Sequence, residues 1–232
     1  MSSLYLYQIL LNNFGKQNWW PVDKKYHEKN GTDPRFEIII GAILTQNTAW
    51  SNVEKALLNL KSQKMFNIGK LANEDIKKLT MMIKPSGFFN QKAIRLKNVS
   101  KYLKDKYNSD LDCFFLRDTI DIRKELLSLN GIGPETADSI LLYAGNKPIF
   151  VVDAYTKRIC ERLPLNTNKS YHEIQKYFQK ELTKKYQGEE LIKVYNNLHA
   201  LIVIFAKKYC KKKPTCRNCP IVKHCNFKEK SF

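Results

Sequence analysis

The sequence has no apolar run long enough to cross a bilayer, and its N-terminus lacks the basic segment, apolar stretch and cleavage site of a secretion signal. Internal repeats and low-complexity tracts are also missing, and only nine glycines serve 232 residues. We therefore expect a soluble intracellular protein without a membrane partner. Its length allows a substantial core, in one domain or in two small lobes.

Carboxylates are scarce as well. Forty Lys and Arg face 22 Asp and Glu, which gives a formal net charge of +18. The excess is clustered, because residues 205–232 contain nine basic side chains and one acidic one, Glu229. Such a balance favours a polyanionic partner through counterion release, although solvated helix faces would also account for part of it.

Hydrophobic periodicity is mostly helical and predicts an all-α fold. Ser170 and Glu173 have the spacing of a capping box ahead of an apolar stripe at 174–182. Breaks are predicted at 21–34, 85–87, 131–134 and 145–148, and the apolar run 149–152 is too short to build a sheet. Further helical stripes lie at 5–11, 37–44, 53–60, 76–83, 94–103, 122–129 and 191–205.

The segment LNGIGPETA, residues 129–137, is followed sixteen residues later by Asp153. Gly131 and Gly133 supply a turn between two helices, Pro134 suits the first helical position, and the outward N–H groups can bind a phosphate. Asp153 follows an apolar run and precedes an amphipathic segment, so it is a natural N-cap that tends to stay ionised. Taken singly, these features also fit an ordinary loop and a plain helix cap.

Four of the six cysteines lie within sixteen residues, spaced C-x5-C-x2-C-x5-C. They are Cys210, Cys216, Cys219 and Cys225. Clustered thiols in an intracellular protein indicate a metal site rather than disulfides, and both an iron–sulfur cluster and structural zinc accept four cysteines. Cys113 and Cys160 stand alone and are interpreted as core or surface thiols.

The hairpin segment and the aspartate together resemble the helix-hairpin-helix DNA glycosylase superfamily, the endonuclease III group, whose motif is L-x-G-[VI]-G-x-x-T-A. The resemblance implies two helical lobes with a DNA cleft between them. One lobe would span 34–147, with the hairpin at 122–145; the other would combine 1–33 with 148–206 and end in the cysteine loop, 207–232. Gly131, Ile132 and Gly133 would contact DNA, and Asp153 would be the catalytic carboxylate across the cleft.

Two further segments are similar to motifs of this group. In GAILTQNTAW, Gln46 holds the position of a glutamine that fills the space left by an extruded base. PSGFFNQKA is similar to a turn that faces the DNA backbone, which would place Asn90, Gln91 and Lys92 near phosphates. Alternatively, Gln46 caps its helix and Lys92 is a solvated charge.

Endonuclease III-like enzymes end in a [4Fe-4S] loop spaced C-x6-C-x2-C-x5-C. This chain matches two of the three intervals and is one residue short in the first, so the resemblance favours the cluster over zinc. Its neighbours Lys211, Lys212, Lys213 and Arg217 would then form a rigid basic loop on DNA phosphates. His224 is interpreted as a bystander, and His172 and His199 as structural residues.

Glu135 restricts the reaction that the resemblance implies. It occupies the position where bifunctional members of the group carry a lysine that attacks the sugar. A carboxylate cannot form a Schiff base, so strand cleavage by that route should be absent. The resemblance implies hydrolysis through a sugar with oxocarbenium character, stabilised by Asp153.

An aromatic set distinguishes the chain within the group: Trp19, Trp20 and Pro21, with Trp50 further on. It resembles the 3-methyladenine DNA glycosylase III branch, in which such residues surround the base pocket; Trp20 is equally compatible with a core role. Electron-rich rings bind cationic alkylated purines by stacking and cation–π attraction. Lys207 matches a lysine near that pocket, but the branch's pattern lacks the iron–sulfur loop, so a phosphate contact is an alternative.

These interpretations predict a monomeric DNA glycosylase, cytoplasmic and nucleoid-associated if prokaryotic, that binds double-stranded DNA containing a damaged base. It would release alkylated purines such as 3-methyladenine or 7-methylguanine and leave an abasic site. Three alternatives remain open: a uracil or thymine mismatch glycosylase, an endonuclease III-like enzyme with weak lyase activity, and a DNA-binding module without catalysis.

Overall fold

The computed structural model describes residues 1–165, 167, 170–228 and 230. Within them the chain forms thirteen α-helices and no β-strand, which confirms the predicted all-α fold. No helix of this described part is both long and apolar enough to span a membrane. The helices are α1 (Ser3–Phe14), α2 (Lys24–Asn30), α3 (Pro34–Leu44), α4 (Trp50–Ser62), α5 (Ile68–Asn73), α6 (Ile76–Met82), α7 (Phe89–Tyr107), α8 (Leu111–Leu116), α9 (Thr119–Ser128), α10 (Pro134–Ser139), α11 (Ala154–Arg162), α12 (Tyr171–Thr183) and α13 (Gly188–Lys208).

The chain divides into two compact units. The terminal unit comprises Met1–Trp19 and Lys147–Phe232, and the central unit comprises Trp20–Asn146. Residues 20–33 thus lie in the central unit, whereas the sequence grouped them with the terminal lobe. The reason is a buried network in which His27 on α2 contacts Glu37 on α3 at 2.6 Å and packs edge-on against Phe66.

The terminal unit is built around α13, whose inward face is almost entirely buried. Phe150 stacks on Phe178 with ring centroids 4.5 Å apart, and Tyr195 meets Phe150 edge-on at 5.7 Å. Each fully buried aromatic ring of this kind contributes on the order of 2 kcal/mol through the hydrophobic effect. Ser170 caps α12 as its spacing predicts, accepting the backbone N–H of Glu173 at 3.2 Å.

The central unit contains α2 to α10. Residues 21–34, predicted as a break, contain the short helix α2, because Asp23 caps its start by accepting from Tyr26 N and Gly31 ends it in the left-handed region at φ 59°. Aspartates also cap α3, α6, α8 and α9. The core of this unit includes Phe36, Phe66 and Phe114, all at most 1% exposed.

The predicted hairpin forms between α9 and α10. Gly131 adopts φ +84°, which only glycine tolerates without strain, and Pro134 opens α10. The helix then continues through one wider π turn, Ile140–Ala144. In the terminal unit, the buried extended run 149–152 leads directly into α11, whose N-cap is Asp153.

Candidate active site

The hairpin presents Gly133 and Pro134 to solvent, as a DNA-contacting turn requires. Ile132 differs from the prediction: its side chain is 4% exposed and its N–H donates to Leu129 O at 3.0 Å. Ile132 therefore anchors the turn in the core, and neither its side chain nor its N–H is directed at a phosphate as the prediction required. Glu135 lies exposed in the first turn of α10.

Gln46, just after α3, is attached to this hairpin. Its Nε2 donates to Gly131 O at 3.0 Å and to Thr136 Oγ1 at 2.8 Å. Its Oε1 accepts a hydrogen bond from Arg95 on α7. Arg95 belongs to none of the sequence motifs, and only its position two residues after the NQKA segment pointed to this neighbourhood.

In the first turn of α7, Asn90 and Gln91 are exposed, whereas Lys92 is buried. Lys92 is 1% exposed, and its Nζ donates to Leu44 O at 2.8 Å and to Ser86 O at 2.7 Å. Burial lowers its pKa to about 8, and the cation of Arg95 adds to the fall. The prediction that Lys92 contacts phosphate is wrong, because its ammonium bonds the backbone inside the turn.

The same turn contains a residue that the sequence did not single out. Phe88 is 63% exposed and sits in the left-handed region at φ 46°, which is strained for a bulky side chain. Gly87 beside it also has a positive φ, 65°. An exposed aromatic ring on a strained turn is a candidate for stacking on bases.

In the central unit the aromatic set is partly assembled. Trp20 meets Trp50 edge-on with ring centroids 5.4 Å apart and lies 5.2 Å from Tyr143. Trp20 also covers Gly41, where a Cβ would come within 3.0 Å of the indole. Trp50 is tethered by a bond from its Nε1 to Glu54 at 2.9 Å.

The other two members of the predicted set are Trp19 and Pro21. Trp19 belongs to the terminal unit and is partly buried there. Pro21 is exposed. The structure thus brings Trp50 and Tyr143 into contact with Trp20. Tyr143 is not among the residues predicted from the sequence.

Asp153 is 7% exposed at the start of α11. Its Oδ1 accepts from the backbone N–H of Thr156 at 2.7 Å and from Thr156 Oγ1 at 2.8 Å, and its Oδ2 lies 3.5 Å from His199 Nε2. Burial by itself would raise the pKa of Asp153, but His199 and the two bonds from Thr156 outweigh it and hold the pKa below its ordinary value of 3.8. Asp153 is therefore a buried carboxylate that stays ionised.

His199, for which the sequence predicts a structural role, lies on α13 and faces Asp153. Lys207, in the last turn of the same helix, is exposed, with Nζ 6.0 Å from the ring centroid of Tyr155 near the start of α11. The helical stripe could have indicated that His199 is inward-facing, but not which residue it would meet.

The four cysteines at 210–225 line one pocket together with apolar side chains. Burial raises the pKa of Cys219, and the three other thiols add to the rise, which reflects their proximity. Four thiols on one pocket form the donor set of an iron–sulfur cluster or of zinc. In the described residues, no three Cys, His, Asp or Glu side chains are already arranged as a metal-binding group.

The cysteine loop is held by Arg162 at the end of α11. Its guanidinium donates to Cys210 Sγ at 3.3 Å, to Lys211 O at 2.7 Å and to Lys212 O at 3.0 Å. The side chains of Lys211, Lys212, Lys213 and Arg217 are all exposed. The other two cysteines lie elsewhere: Cys113 is exposed, and burial raises the pKa of Cys160 to about 12, which keeps its thiol protonated.

Comparison with known proteins agrees with this geometry. Residues 40–184 match the model of the HhH-GPD superfamily base excision DNA repair proteins. The chain is 47% identical over 222 residues to a protein of Methanocaldococcus jannaschii named as a DNA repair glycosylase, covering 95% of this chain and 94% of the relative. It is 32% identical over 201 residues to endonuclease III of Thermotoga maritima, covering 84% of each.

Among solved structures, the 3-methyladenine DNA glycosylase of H. pylori bound to 1,N6-ethenoadenine superposes with a TM-score of 0.70 at 30% identity. The match covers 89% of this chain and 98% of that one. The family model spans more than half of the chain, and the first relative spans nearly all of it. The chain therefore belongs to the HhH-GPD superfamily of base excision DNA repair proteins, the helix-hairpin-helix DNA glycosylases.

Proposed function

We propose that the protein is a monofunctional DNA glycosylase that hydrolyses the N-glycosidic bond of alkylated purines, 3-methyladenine above all. The observation that carries the proposal is Asp153, a carboxylate 7% exposed whose pKa is nevertheless lowered. A buried anion of this kind stabilises a positive sugar more strongly than a solvated one, because little water screens it.

The reaction balances with this one ionised group. The bond from C1′ to the purine nitrogen breaks, its electron pair neutralises the positive charge of the alkylated ring, and the base leaves neutral. Asp153 stabilises the oxocarbenium-like sugar and accepts a proton from the water whose oxygen attacks C1′. The leaving group is already activated by its charge, so the site can dispense with a strong general acid.

Glu135 supports hydrolysis without strand cleavage. It sits exposed in the first turn of α10, and its carboxylate cannot attack C1′ to form an imine. The abasic sugar is therefore the final product. Trapping with borohydride should give no covalent protein–DNA adduct.

The aromatic cluster supports the choice of substrate. Trp20 contacts both Trp50 and Tyr143, and the face of each electron-rich ring can attract a cationic purine by about 0.5 to 2 kcal/mol. The similarity to a 3-methyladenine glycosylase points the same way. Trp19 and Pro21 are proposed to complete the pocket, with Lys207 near it.

Duplex DNA is the proposed partner of a monomer. The hairpin, with Gly133 exposed and Gly131 half-buried, the exposed Asn90 and Gln91, and the basic loop with Lys211, Lys212, Lys213 and Arg217 would hold its phosphates. Phe88 would stack on bases beside the lesion, and Gln46 would fill the space that the extruded base leaves.

Cys210, Cys216, Cys219 and Cys225 are proposed to hold a [4Fe-4S] cluster, since four thiols line one pocket and two of the three intervals match the family loop. When bound, the cluster supplies four bonds that fix the basic loop. Iron and sulfide analysis of the purified protein distinguishes it from zinc.

The decisive experiment treats DNA with dimethyl sulfate and identifies the bases that the purified protein releases, by chromatography. Asp153→Asn should reduce release by about 10² to 10³ while keeping the helix cap, because asparagine caps as well as aspartate. Asp118→Asn is the matched control: Asp118 caps α9 by accepting from Ile120 N at 2.7 Å and is exposed, so release should be unchanged. Release from G·U or G·T duplexes instead would replace alkylpurines with mismatched pyrimidines as the substrate.

A further inference from the structure

Arg95, in the second turn of α7, touches two segments that are distant in sequence. Its guanidinium donates to Oε1 of Gln46, 49 residues away. Its aliphatic stem crosses the hairpin at Gly131, where a Cβ would lie within 2.6 Å of Cδ and 2.7 Å of Cγ. Gly131 is thus required twice, for its φ of +84° and for the space that Arg95 occupies.

These contacts determine which way the Gln46 carboxamide points. A guanidinium can only donate and a backbone carbonyl can only accept. Oε1 must therefore face Arg95, and Nε2 must face Gly131 O, with a second bond to Thr136 Oγ1 at 2.8 Å. Both ends of the amide are fixed, and a flipped amide would meet donor against donor and acceptor against acceptor.

We propose that Arg95 is a positioning residue of the glycosylase, which holds Gln46 on the hairpin in one orientation so that it enters the DNA as the damaged base leaves. The proposal rests on the proposed function. Ordering a long side chain costs about 0.5 to 1.5 kcal/mol, so prior ordering by Arg95 accelerates base extrusion about 2- to 12-fold.

The test is a double-mutant cycle of Arg95→Met and Gln46→Ala. Methionine keeps an unbranched stem over Gly131 and removes the donor. Three quantities are measured: the single-turnover rate of base release, the fluorescence of 2-aminopurine beside the lesion as a report of extrusion, and the salt dependence of binding to an abasic-analogue duplex.

Arg95→Met should slow extrusion and release about 2- to 12-fold. In the Gln46→Ala background the same change should have almost no effect, because the group that Arg95 positions is already gone. Arg95→Lys should recover part of the rate, since lysine still donates one bond. Lys97→Met is the matched control on the same helix, because Lys97 bonds Glu74 O instead, and it should change neither rate nor extrusion.

An equal loss in both backgrounds would overturn the proposal, as would a fall of about one in the salt slope, which indicates a direct phosphate contact. If Arg95→Met does not fold, Arg95→Lys takes its place in the cycle, and its smaller loss of rate should likewise disappear in the Gln46→Ala background. A wild-type protein that releases no base would refute the proposed function alone, because extrusion and abasic-duplex binding still report on Arg95.

Discussion

Two buried titratable groups, Lys92 in the central unit and Asp153 in the terminal unit, have pKa values shifted towards opposite charge states. Lys92 bonds two neutral backbone carbonyls, and burial, aided by the cation of Arg95, lowers its pKa to about 8, towards the uncharged form. Asp153 has His199 and two donors from Thr156, and its pKa falls too, which for an acid means towards the charged form. Burial disfavours charge in both, and the partners decide whether it persists.

We interpret Lys92 as a structural charge and Asp153 as the proposed catalytic one. The two bonds of Lys92 join the end of α3 to the turn before α7, so its ammonium serves the turn that displays Phe88 and Asn90. Asp153 uses one oxygen to cap α11 and keeps the other directed at His199. We therefore expect loss of Lys92 to reduce stability and loss of Asp153 to reduce the reaction rate.

The largest effect should follow Asp153→Asn. The substitution removes the charge and keeps the cap, so the single-turnover rate of base release should fall by about 10² to 10³, the usual result of removing one transition-state electrostatic contact. Affinity for an abasic-analogue duplex should stay within about twofold, because the substitution removes no contact to a DNA phosphate. Loss of rate and binding together would mean that Asp153 supports the fold rather than the reaction.

Next in size is Lys92→Met, which leaves Leu44 O and Ser86 O without their donor. Each buried carbonyl that loses its partner costs about 1 to 3 kcal/mol, so the free energy of unfolding in urea should drop by at least that amount. The salt dependence of DNA binding should not change, because Lys92 is 1% exposed. Lys101→Met, an exposed lysine of the same helix, should leave stability unchanged; a reduced salt slope for Lys92→Met would restore it as a phosphate contact.

Lys92 also predicts a pH dependence. Its folded pKa, about 8, is below its ordinary value of 10.5. Between these values the unfolded chain binds more protons than the folded one, so the contribution of Lys92 to stability rises with pH across this window. Wild-type protein should show this rise in urea unfolding between the two values, and Lys92→Met should lack it.

Local sequence patterns predict the elements that carry Lys92 and Asp153, but not the distant residues that these side chains contact. The hairpin, the N-cap at Asp153 and the cysteine spacing are local features, and the structure contains each of them. The burial of Lys92 depends on Leu44, 48 residues away, and the partner of Asp153 is His199, 46 residues away. Periodicity indicates that a residue faces inward, but only the packing of helices determines what it meets.

Loss of His199 should have an intermediate effect. His199→Gln removes the group that offsets the burial of Asp153, so the pKa of Asp153 should rise. Activity that depends on ionised Asp153 is present above its folded pKa and lost as pH falls through it, so the acid limb of the pH–rate profile should move to higher pH. At a fixed pH on that limb, the rate should fall about tenfold if the limb moves by about one pH unit. An unmoved limb with a uniformly lower rate would make His199 a packing residue.

The smallest effect on stability is expected for Phe88, in the turn that Lys92 supports. Phe88 holds a left-handed conformation that costs about 1 to 2 kcal/mol for an ordinary residue, and asparagine tolerates it better. Phe88→Asn should therefore raise the free energy of unfolding by about 0.5 to 1 kcal/mol. The same change should weaken binding to lesion-containing duplex by about tenfold, because one base-stacking contact is lost.

Leu116→Asn is the matched control, since Leu116 is an even more exposed apolar side chain, at 89%. This variant should leave DNA affinity unchanged. If Phe88→Asn is more stable but binds DNA more weakly, the turn maintains backbone strain in order to display an aromatic ring. If it is more stable and its affinity is unchanged, Phe88 has no part in DNA binding.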